Sequence, residues 1–296
     1  MIKKFSLEPF DGLTIITGPT AVGKTDFALM HAPAIRGTVI NADVGQFYTP
    51  LTIGTAKPNW RRQAVPHVLF DIVDQPVDIS AVDYCCRVKG VASDVLRHGG
   101  APLIVGGSGF YVHSLLFRIP EVTAVGRRLY AEQTEVLWQQ LVAIDQVRAH
   151  QIDPHDRYRI ERALDIWHGT GILPSQFTPQ FAPDFNCRII ILWQPTKDLY
   201  PRINCRVDAL LQQGWIDEVR ALETWQPFLL RKKLIGYDDI VRYLHGEISS
   251  YDELSAVIAQ KTRHYAKRQL TFMRMLTKKG NEHGVPVTWV EMEAKT

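Results

Sequence analysis

An octapeptide near the start of the chain has the residue types and the spacing needed to hold phosphate groups. It fits the pattern G-x-x-x-x-G-K-[ST] at every fixed position. Its glycines let backbone N–H groups turn toward an anion, and a following helix N-terminus adds partial positive charge. Its lysine supplies a full charge, and its last hydroxyl can bind Mg²⁺. The eight residues of this predicted diphosphate site are Gly18, Pro19, Thr20, Ala21, Val22, Gly23, Lys24 and Thr25.

The elements around this loop are those the motif requires. An apolar, β-branched run, Leu13–Thr17, predicts a buried strand before it, and Lys24–His31 predicts a helix after it. Further short strands are predicted at Thr38–Asn41 and Pro102–Val105, with a helix at Ser80–Arg97 between them. Because strands and helices alternate in this order, we expect an α/β fold of the P-loop NTPase type. Helices should flank its parallel sheet.

The pattern becomes helical after residue 118. Gly126–His150 and Arg157–His168 are predicted as helices before Arg188–Trp193 returns as a strand. We therefore expect a catalytic core of residues 1–118 and 153–296, interrupted by a small helical insertion at 119–152. Three more helical stretches are predicted beyond the last strand: Tyr200–Gln213, Trp215–Trp225 and Asp252–Leu276.

Asp43 closes the second predicted strand. The carboxyl ends of parallel strands line the ligand crevice of an open sheet, so Asp43 should lie near the bound phosphates. A carboxylate there can hold Mg²⁺ through water or accept a proton from a nucleophile. It can equally cap the following turn, and position alone does not separate these roles.

The phosphate loop does not name its ligand. A hydrolase of nucleoside triphosphates would need an acid at the end of an apolar strand to hold Mg²⁺. The third strand ends instead in glycines and Ser108, while Asp71 and Asp74 follow a weaker apolar run. This disfavours a small-molecule kinase, which stays an alternative.

Several further motifs, in a fixed order, resemble the tRNA dimethylallyltransferase family. Asn41–Tyr48 is similar to the family block Asp-Ser-x-Gln-x-Tyr, and Ile53–Pro58 carries its Ile-Gly-Thr-Ala-Lys-Pro. The other matching segments are Val65–Asp71, Pro102–Tyr111, Asp156–Leu164, Arg206–Asp208, Gly214–Val219, Ile235–Tyr237 and Thr262–Thr271. The ordered set is far more specific than the phosphate loop alone.

The resemblance implies dimethylallyl diphosphate and tRNA as substrates, with N6 of adenine 37 as the acceptor. It implies that Asp43 is the general base or hydrogen-bond acceptor for that amine. Lys24, Thr25, Ser108 and Arg206 would hold the diphosphate and its Mg²⁺, with Arg206 and Thr25 taking part in catalysis. The residues implied to contact the tRNA are Asp43, Val44, Gly45, Gln46, Ser108, Tyr158, Arg159, Ile160, Glu161 and Arg162.

The chain departs from the family pattern at some positions. Val44 stands where the family has serine, Ser108 where it has threonine, and the stretch from Leu116 to Asp145 is short. These differences leave room for an adenylate isopentenyltransferase, which would use a free nucleotide as acceptor. A non-catalytic RNA-binding relative is a further alternative, disfavoured by the intact loop and Asp43.

The last long helix is amphipathic on residue spacing alone. Arg263, Lys267 and Arg274 cluster on the face opposite Leu254 and Ile258. Such a face can meet RNA phosphates, or it can simply be solvated. We expect a tRNA contact here, because a basic face favours a polynucleotide over a free nucleotide as the acceptor.

The overall composition constrains what we expect for nucleic-acid surfaces, membrane segments and cysteine sites. The 296 residues carry a formal net charge of only +3, so any nucleic-acid surface must be a local cluster. No signal peptide or membrane span is predicted, and no pair among the four cysteines has zinc-site spacing. We expect a cytoplasmic monomer that does not enter a membrane.

Overall fold

The computed structural model describes residues 5–118, 128–177 and 179–293. The chain forms two compact units. One comprises Met1–Leu115 together with Asp184–Thr296, and the other comprises Leu116–Pro183. The predicted insertion, 119–152, lies within the second unit, which also contains the predicted Arg157–His168 helix; residues 119–127 lie outside the described part.

The first unit is built on a six-stranded sheet in which every neighbouring pair is parallel, in the order β3-β2-β4-β1-β7-β8. Its central strands are almost entirely buried and mainly apolar, as expected when helices cover both faces. This confirms the predicted α/β fold class. The strands are β1 Leu13–Thr17, β2 Gly37–Asn41, β3 His67–Val68, β4 Ala101–Val105, β7 Cys187–Trp193 and β8 Val287–Glu291.

Several helices of this unit contribute to two apolar clusters. One cluster lies around the sheet and includes Phe27, Leu103 and Leu192; the other joins the C-terminal helices and includes Trp215 and Leu254. The helices are α1 Lys24–His31, α2 Ala81–Arg97, α3 Gly109–Leu116, α7 Thr196–Gln212, α8 Trp215–Arg220, α9 Gln226–Lys232, α10 Tyr237–Leu244 and α11 Tyr251–Glu282.

The sheet register brings three loops to one edge. Ile16 of β1 pairs with Val105 of β4, and Val105 pairs with Asn41 of β2. Since the strands are parallel, the loops after β1, β2 and β4 leave the sheet side by side. These loops carry the phosphate motif, Asp43 and Ser108.

The described part of the second unit contains three α-helices and a two-stranded antiparallel ribbon. Its core packs Leu137 and Leu141 against Ile160 and Leu164. The helices are α4 Thr134–Ile144, α5 Gln146–Ala149 and α6 Arg157–Thr170, and the strands are β5 Phe117–Arg118 and β6 Gln180–Phe181.

The prediction of one helix over Gly126–His150 was wrong in its described part. Residues 128–133 are not helical, and Leu129 is fully exposed. The helix also ends at Asp145, whose side chain accepts hydrogen bonds from the backbone N–H of Arg148 and of Ser175. A side chain that bonds the backbone in this way starts a new helix instead of continuing the old one.

Within the described ranges, no helix is both long and apolar enough to cross a membrane.

Candidate active site

The phosphate-binding loop has the backbone shape of an anion cradle. Ala21 and Gly23 both have positive φ, at 64° and 100°, which turns successive N–H groups toward one side. Helix α1 begins at Lys24, and no side chain caps its N-terminus. The first N–H groups of a helix have no intrahelical partner, so an anion can bind them.

Lys24 lies folded against this loop. Its ammonium group donates hydrogen bonds to the carbonyl oxygens of Gly18, at 3.1 Å, and Pro19, at 2.9 Å. Burial lowers the pKa of Lys24 to about 8, although the negative charge of Asp43 partly opposes this and Arg206 adds to it. The charge on Lys24 is therefore poorly compensated and would gain from a bound anion.

Asp43 follows β2 and is fixed on one side only. Its backbone N–H donates to Asn41 Oδ1 at 2.9 Å, and its Oδ1 accepts from the backbone N–H of Gly45 at 3.2 Å. No described residue donates a hydrogen bond to its Oδ2. Burial raises the pKa of Asp43, while Lys24, the Gly45 hydrogen bond and Arg206 oppose that rise. Asp43 thus caps the turn Val44–Phe47 and still has an oxygen available for chemistry.

The loop after β4 lies against both neighbouring loops. The Ser108 hydroxyl accepts a hydrogen bond from the backbone N–H of Val44 at 3.2 Å. A side chain at Gly106 would overlap the backbone of Ala42, and a Cβ at Gly107 would lie 3.2 Å from Lys24 Nζ. The two glycines are needed here because the three loops approach so closely.

Tyr265 of α11 closes one side of this group. Its hydroxyl donates to the carbonyl of Gly107 at 3.3 Å. Burial, and then the charge of Asp43, raises the pKa of Tyr265 to about 12. The phenol is therefore protonated at neutral pH and acts as a hydrogen-bond donor.

Arg206 and Thr25 complete the set predicted to hold a diphosphate. Arg206 lies on α7 with an exposed side chain, and its charge acts on both Lys24 and Asp43. Within the described residues it forms no hydrogen bond or ion pair. The Thr25 hydroxyl, in the first turn of α1, likewise has no hydrogen-bond partner among them. Both side chains are available to a ligand.

Glu218, a residue that sequence reasoning did not single out for a role, anchors the segment that follows Asp43. Its carboxylate accepts hydrogen bonds from the backbone N–H groups of Thr52, Ile53 and Gly54, at 2.9, 2.6 and 3.2 Å, and from the Tyr237 hydroxyl at 2.7 Å. The only sequence signal was its place in a family-like motif, since an acid on a short helix is ordinarily solvated.

Trp215 explains two glycines of the family-like motifs. A Cβ at either Gly54 or Gly236 would overlap its indole ring. The segment around Gly54 and the start of α10 therefore both pack tightly against the buried indole ring of Trp215. Gln46 is tied to the same segment, because its Nε2 donates to the carbonyl of Thr55 at 3.1 Å.

Asp71 is a structural anchor. Its carboxylate accepts hydrogen bonds from Lys57 at 2.6 Å, Trp60 Nε1 at 3.0 Å and Arg61 at 2.8 Å. These three donors occupy one of the two acids, Asp71 and Asp74, that could have held Mg²⁺ in a kinase. Among the described residues, no cluster of three or more His, Cys, Asp or Glu side chains could hold a metal ion.

The turn predicted to contact RNA, in the second unit, contains both exposed and buried side chains. Tyr158 and Arg159 are exposed, whereas Ile160 is fully buried in the core of that unit. Glu161 pairs with Arg157 at 2.7 Å, and Arg162 lies 3.7 Å from Asp165. Arg159 is also ion-paired, with Asp156 at 3.3 Å, although its side chain is exposed.

Some basic side chains of α11 are exposed, whereas others bond to groups within the fold. Lys267 and Arg274 are exposed, and Arg263 donates to Asn204 Oδ1 at 2.6 Å. Lys261, in contrast, bonds to Asp238 and Asp239 of α10 at 3.0 and 2.6 Å. Lys261 is thus used within the fold.

The sheet order and the loop geometry define a P-loop-like α/β protein in which the loops after β1, β2 and β4 leave the sheet side by side. Residues 46–276 match the profile of the IPP transferase family, and the chain belongs to that family. A protein named tRNA dimethylallyltransferase from Syntrophobacter fumaroxidans is 40% identical over 277 residues, which is 88% of this chain and 80% of that protein. One of the same name from Lacticaseibacillus casei is 37% identical, covering 97% of this chain and 93% of the relative.

Solved structures agree with this assignment. The full-length tRNA isopentenylpyrophosphate transferase of Bacillus halodurans is 32% identical, covers 96% of this chain and 90% of its own, and gives a TM-score of 0.67. A eukaryotic dimethylallyltransferase is 24% identical, with a TM-score of 0.78 over 94% of this chain and 73% of its own, which supports the fold alone.

Proposed function

We propose that this protein transfers a dimethylallyl group from dimethylallyl diphosphate to N6 of adenine 37 in tRNA. The observation that carries the proposal is the placement of a phosphate cradle and an acid, Asp43, at the ends of strands in the same sheet. Relatives named tRNA dimethylallyltransferase align with this chain over most of their length, and they support the choice of donor and acceptor.

In the proposed reaction the adenine N6 attacks C1 of the allyl group. The C1–O bond to the diphosphate breaks, the N6–C1 bond forms, and inorganic pyrophosphate leaves. Negative charge grows on the leaving group, and Lys24, Arg206 and the N-terminus of α1 supply positive charge to stabilise it. Holding both substrates in one cleft removes most of the entropic cost of their encounter.

Asp43 takes the proton that N6 must lose. Its Oδ1 is held by Gly45, so the carboxylate is oriented, and its Oδ2 is open to the incoming amine. The raised pKa of Asp43 makes it a better proton acceptor than an ordinary surface aspartate. Tyr265 and Ser108 lie beside it and are suited to orient the base.

The oxygen ligands at this site suit a Mg²⁺ ion that arrives bound to the diphosphate substrate. Since no described cluster of acids could bind it alone, the Thr25 hydroxyl and oxygens of the diphosphate itself would hold it. When bound, it would neutralise part of the leaving-group charge.

Exposed cations provide the RNA contact in this proposal. Lys267 and Arg274 on α11 are free to meet backbone phosphates. In the second unit, Tyr158 offers an exposed ring and Arg159 an exposed charge. All proposed contacts come from one chain, in keeping with a monomer, and the nature of the substrate favours the cytoplasm.

The deciding experiment follows labelled dimethylallyl diphosphate into acceptors. A tRNA with adenine at position 37 competes against AMP and ATP, and the same tRNA with guanine at 37 is the matched control. Label should enter only the adenine-37 tRNA. Label on AMP instead would make the protein an adenylate isopentenyltransferase, and label on the guanine control would refute the acceptor position.

A further inference from the structure

One buried side chain joins the phosphate-binding loop to the loop after β4. Gln269 of α11 is 4% exposed. Its Oε1 accepts a hydrogen bond from the backbone N–H of Thr20 at 2.8 Å, and its Nε2 donates to the backbone carbonyl of Gly107 at 2.7 Å. Both partners are main-chain atoms of the loops that surround Lys24.

The chemistry of this contact requires an amide. Thr20 can only donate here and Gly107 can only accept, so the orientation of the side-chain amide is set by its partners. Space is equally restricted, since a Cβ on Gly107 would overlap the Gln269 amide. The amide is therefore wedged between two segments whose separation it fixes.

The contact also decides which loop groups face an anion. The Thr20 N–H points to Gln269, which leaves the first-turn groups of α1 for the diphosphate. Helix α11 is the same helix whose exposed face carries Lys267 and Arg274. Gln269 therefore connects the cradle to the element proposed to meet RNA.

We propose that Gln269 is a positioning residue, which holds the phosphate-binding loop and the Gly106–Ser108 loop at the separation that diphosphate binding requires. It touches no substrate and acts through Thr20 and Gly107. The effect on turnover rests on the proposed function, whereas the effect on the cradle does not.

The test uses inorganic pyrophosphate with Mg²⁺ as the probe, measured by calorimetry on the full chain. Gln269→Met keeps the length of the side chain and removes both hydrogen bonds. We expect pyrophosphate to bind about tenfold more weakly, as the loss of two buried hydrogen bonds allows. Affinity for tRNA without pyrophosphate should stay within about twofold, because no RNA-facing charge is changed.

Gln269→Glu supplies a signature that general damage would not produce. A protonated glutamic acid can accept from Thr20 and donate to Gly107 as the amide does, whereas the carboxylate cannot donate. Burial favours the protonated form. The pyrophosphate affinity of this variant, divided by that of the wild type at the same pH, should therefore recover as the pH falls, while the ratio for Gln269→Met should stay constant.

Thr277→Val is the matched control on the same helix. It removes the hydrogen bond from Trp289 at 2.9 Å, far along α11 from the cradle, and should bind pyrophosphate normally. The proposal is overturned if Gln269→Met binds pyrophosphate like the wild type, or if the Gln269→Glu ratio does not depend on pH. If pyrophosphate binding responds as expected but the wild type transfers nothing to tRNA, only the proposed function fails.

Discussion

The ammonium group of Lys24 donates a hydrogen bond to the carbonyl oxygen of Pro19 at 2.9 Å, within the same loop. The ammonium group has three N–H donors, and the carbonyls of Gly18 and Pro19 use two of them, so the third can bind a diphosphate that enters the cradle. Because burial has already lowered the pKa of Lys24 to about 8, diphosphate binding is coupled to the uptake of a proton at higher pH.

Pyrophosphate affinity should therefore depend on pH with a definite sign. Below pH 8 Lys24 is charged before the ligand arrives, whereas above pH 8 binding must also protonate it. A bound anion raises the pKa of Lys24, so the association constant should fall as the pH rises above 8, by up to about tenfold per pH unit. Calorimetry in buffers of different ionisation enthalpy would measure the proton uptake.

Lys24→Arg is the control for that dependence. Arginine stays charged throughout this range, so the part of the pH dependence that comes from Lys24 should be absent from the variant. The ratio of wild-type to variant affinity should therefore fall as the pH rises above 8. Ionisation of pyrophosphate itself cancels in the ratio. A ratio that does not change between pH 7 and pH 10 would assign the charge of the cradle to another group.

The Asp43→Asn substitution tests the proposed role of Asp43 as proton acceptor separately from its role as the cap of the following turn. The asparagine oxygen can still accept from Gly45, so the turn Val44–Phe47 should keep its shape. Loss of the base should lower kcat by about a hundredfold or more while leaving tRNA affinity unchanged. An unchanged kcat under single-turnover conditions would remove Asp43 from the chemistry.

Lys267→Ala should weaken tRNA binding and reduce the slope of log K against log salt by about one. Lys279→Ala is the matched control, since Lys279 is on the same helix but is paired with Glu282 at 2.7 Å. Filter binding at several salt concentrations would measure both slopes. If both variants give the wild-type slope, the exposed face of α11 is only solvated.

Glu218→Gln should destabilise the protein by about 2 kcal/mol, because a neutral amide loses charge-assisted hydrogen bonds from the segment Thr52–Gly54. Glu223→Gln, on an exposed residue nearby, should leave the free energy of unfolding almost unchanged. Chemical denaturation measures both. An equal effect of the two substitutions would show that the anchor contributes little.

Much of the fold followed from local pattern. The strands around the phosphate loop are short apolar runs bounded by glycine or polar residues, so their position and type were predictable. The helix boundary at Asp145 was not, because a side chain that bonds the backbone overrides an apolar periodicity that continues past it. Helices α3, α9 and α10 and strand β8 were also missed.

The sequence by itself determined the glycine-rich motif with its flanking strand and helix, the alternation of strands and helices that predicts a parallel sheet, and the family. Each of these depends on residues that are close together in the chain or that occur in a fixed order along it. Only the tertiary structure decided that Gln269 bonds to Thr20, 249 positions away, and that Glu218 holds the segment after Asp43. Spacing along a chain reports which residues share a strand or a helix face, whereas contacts between distant elements are set by how those faces pack.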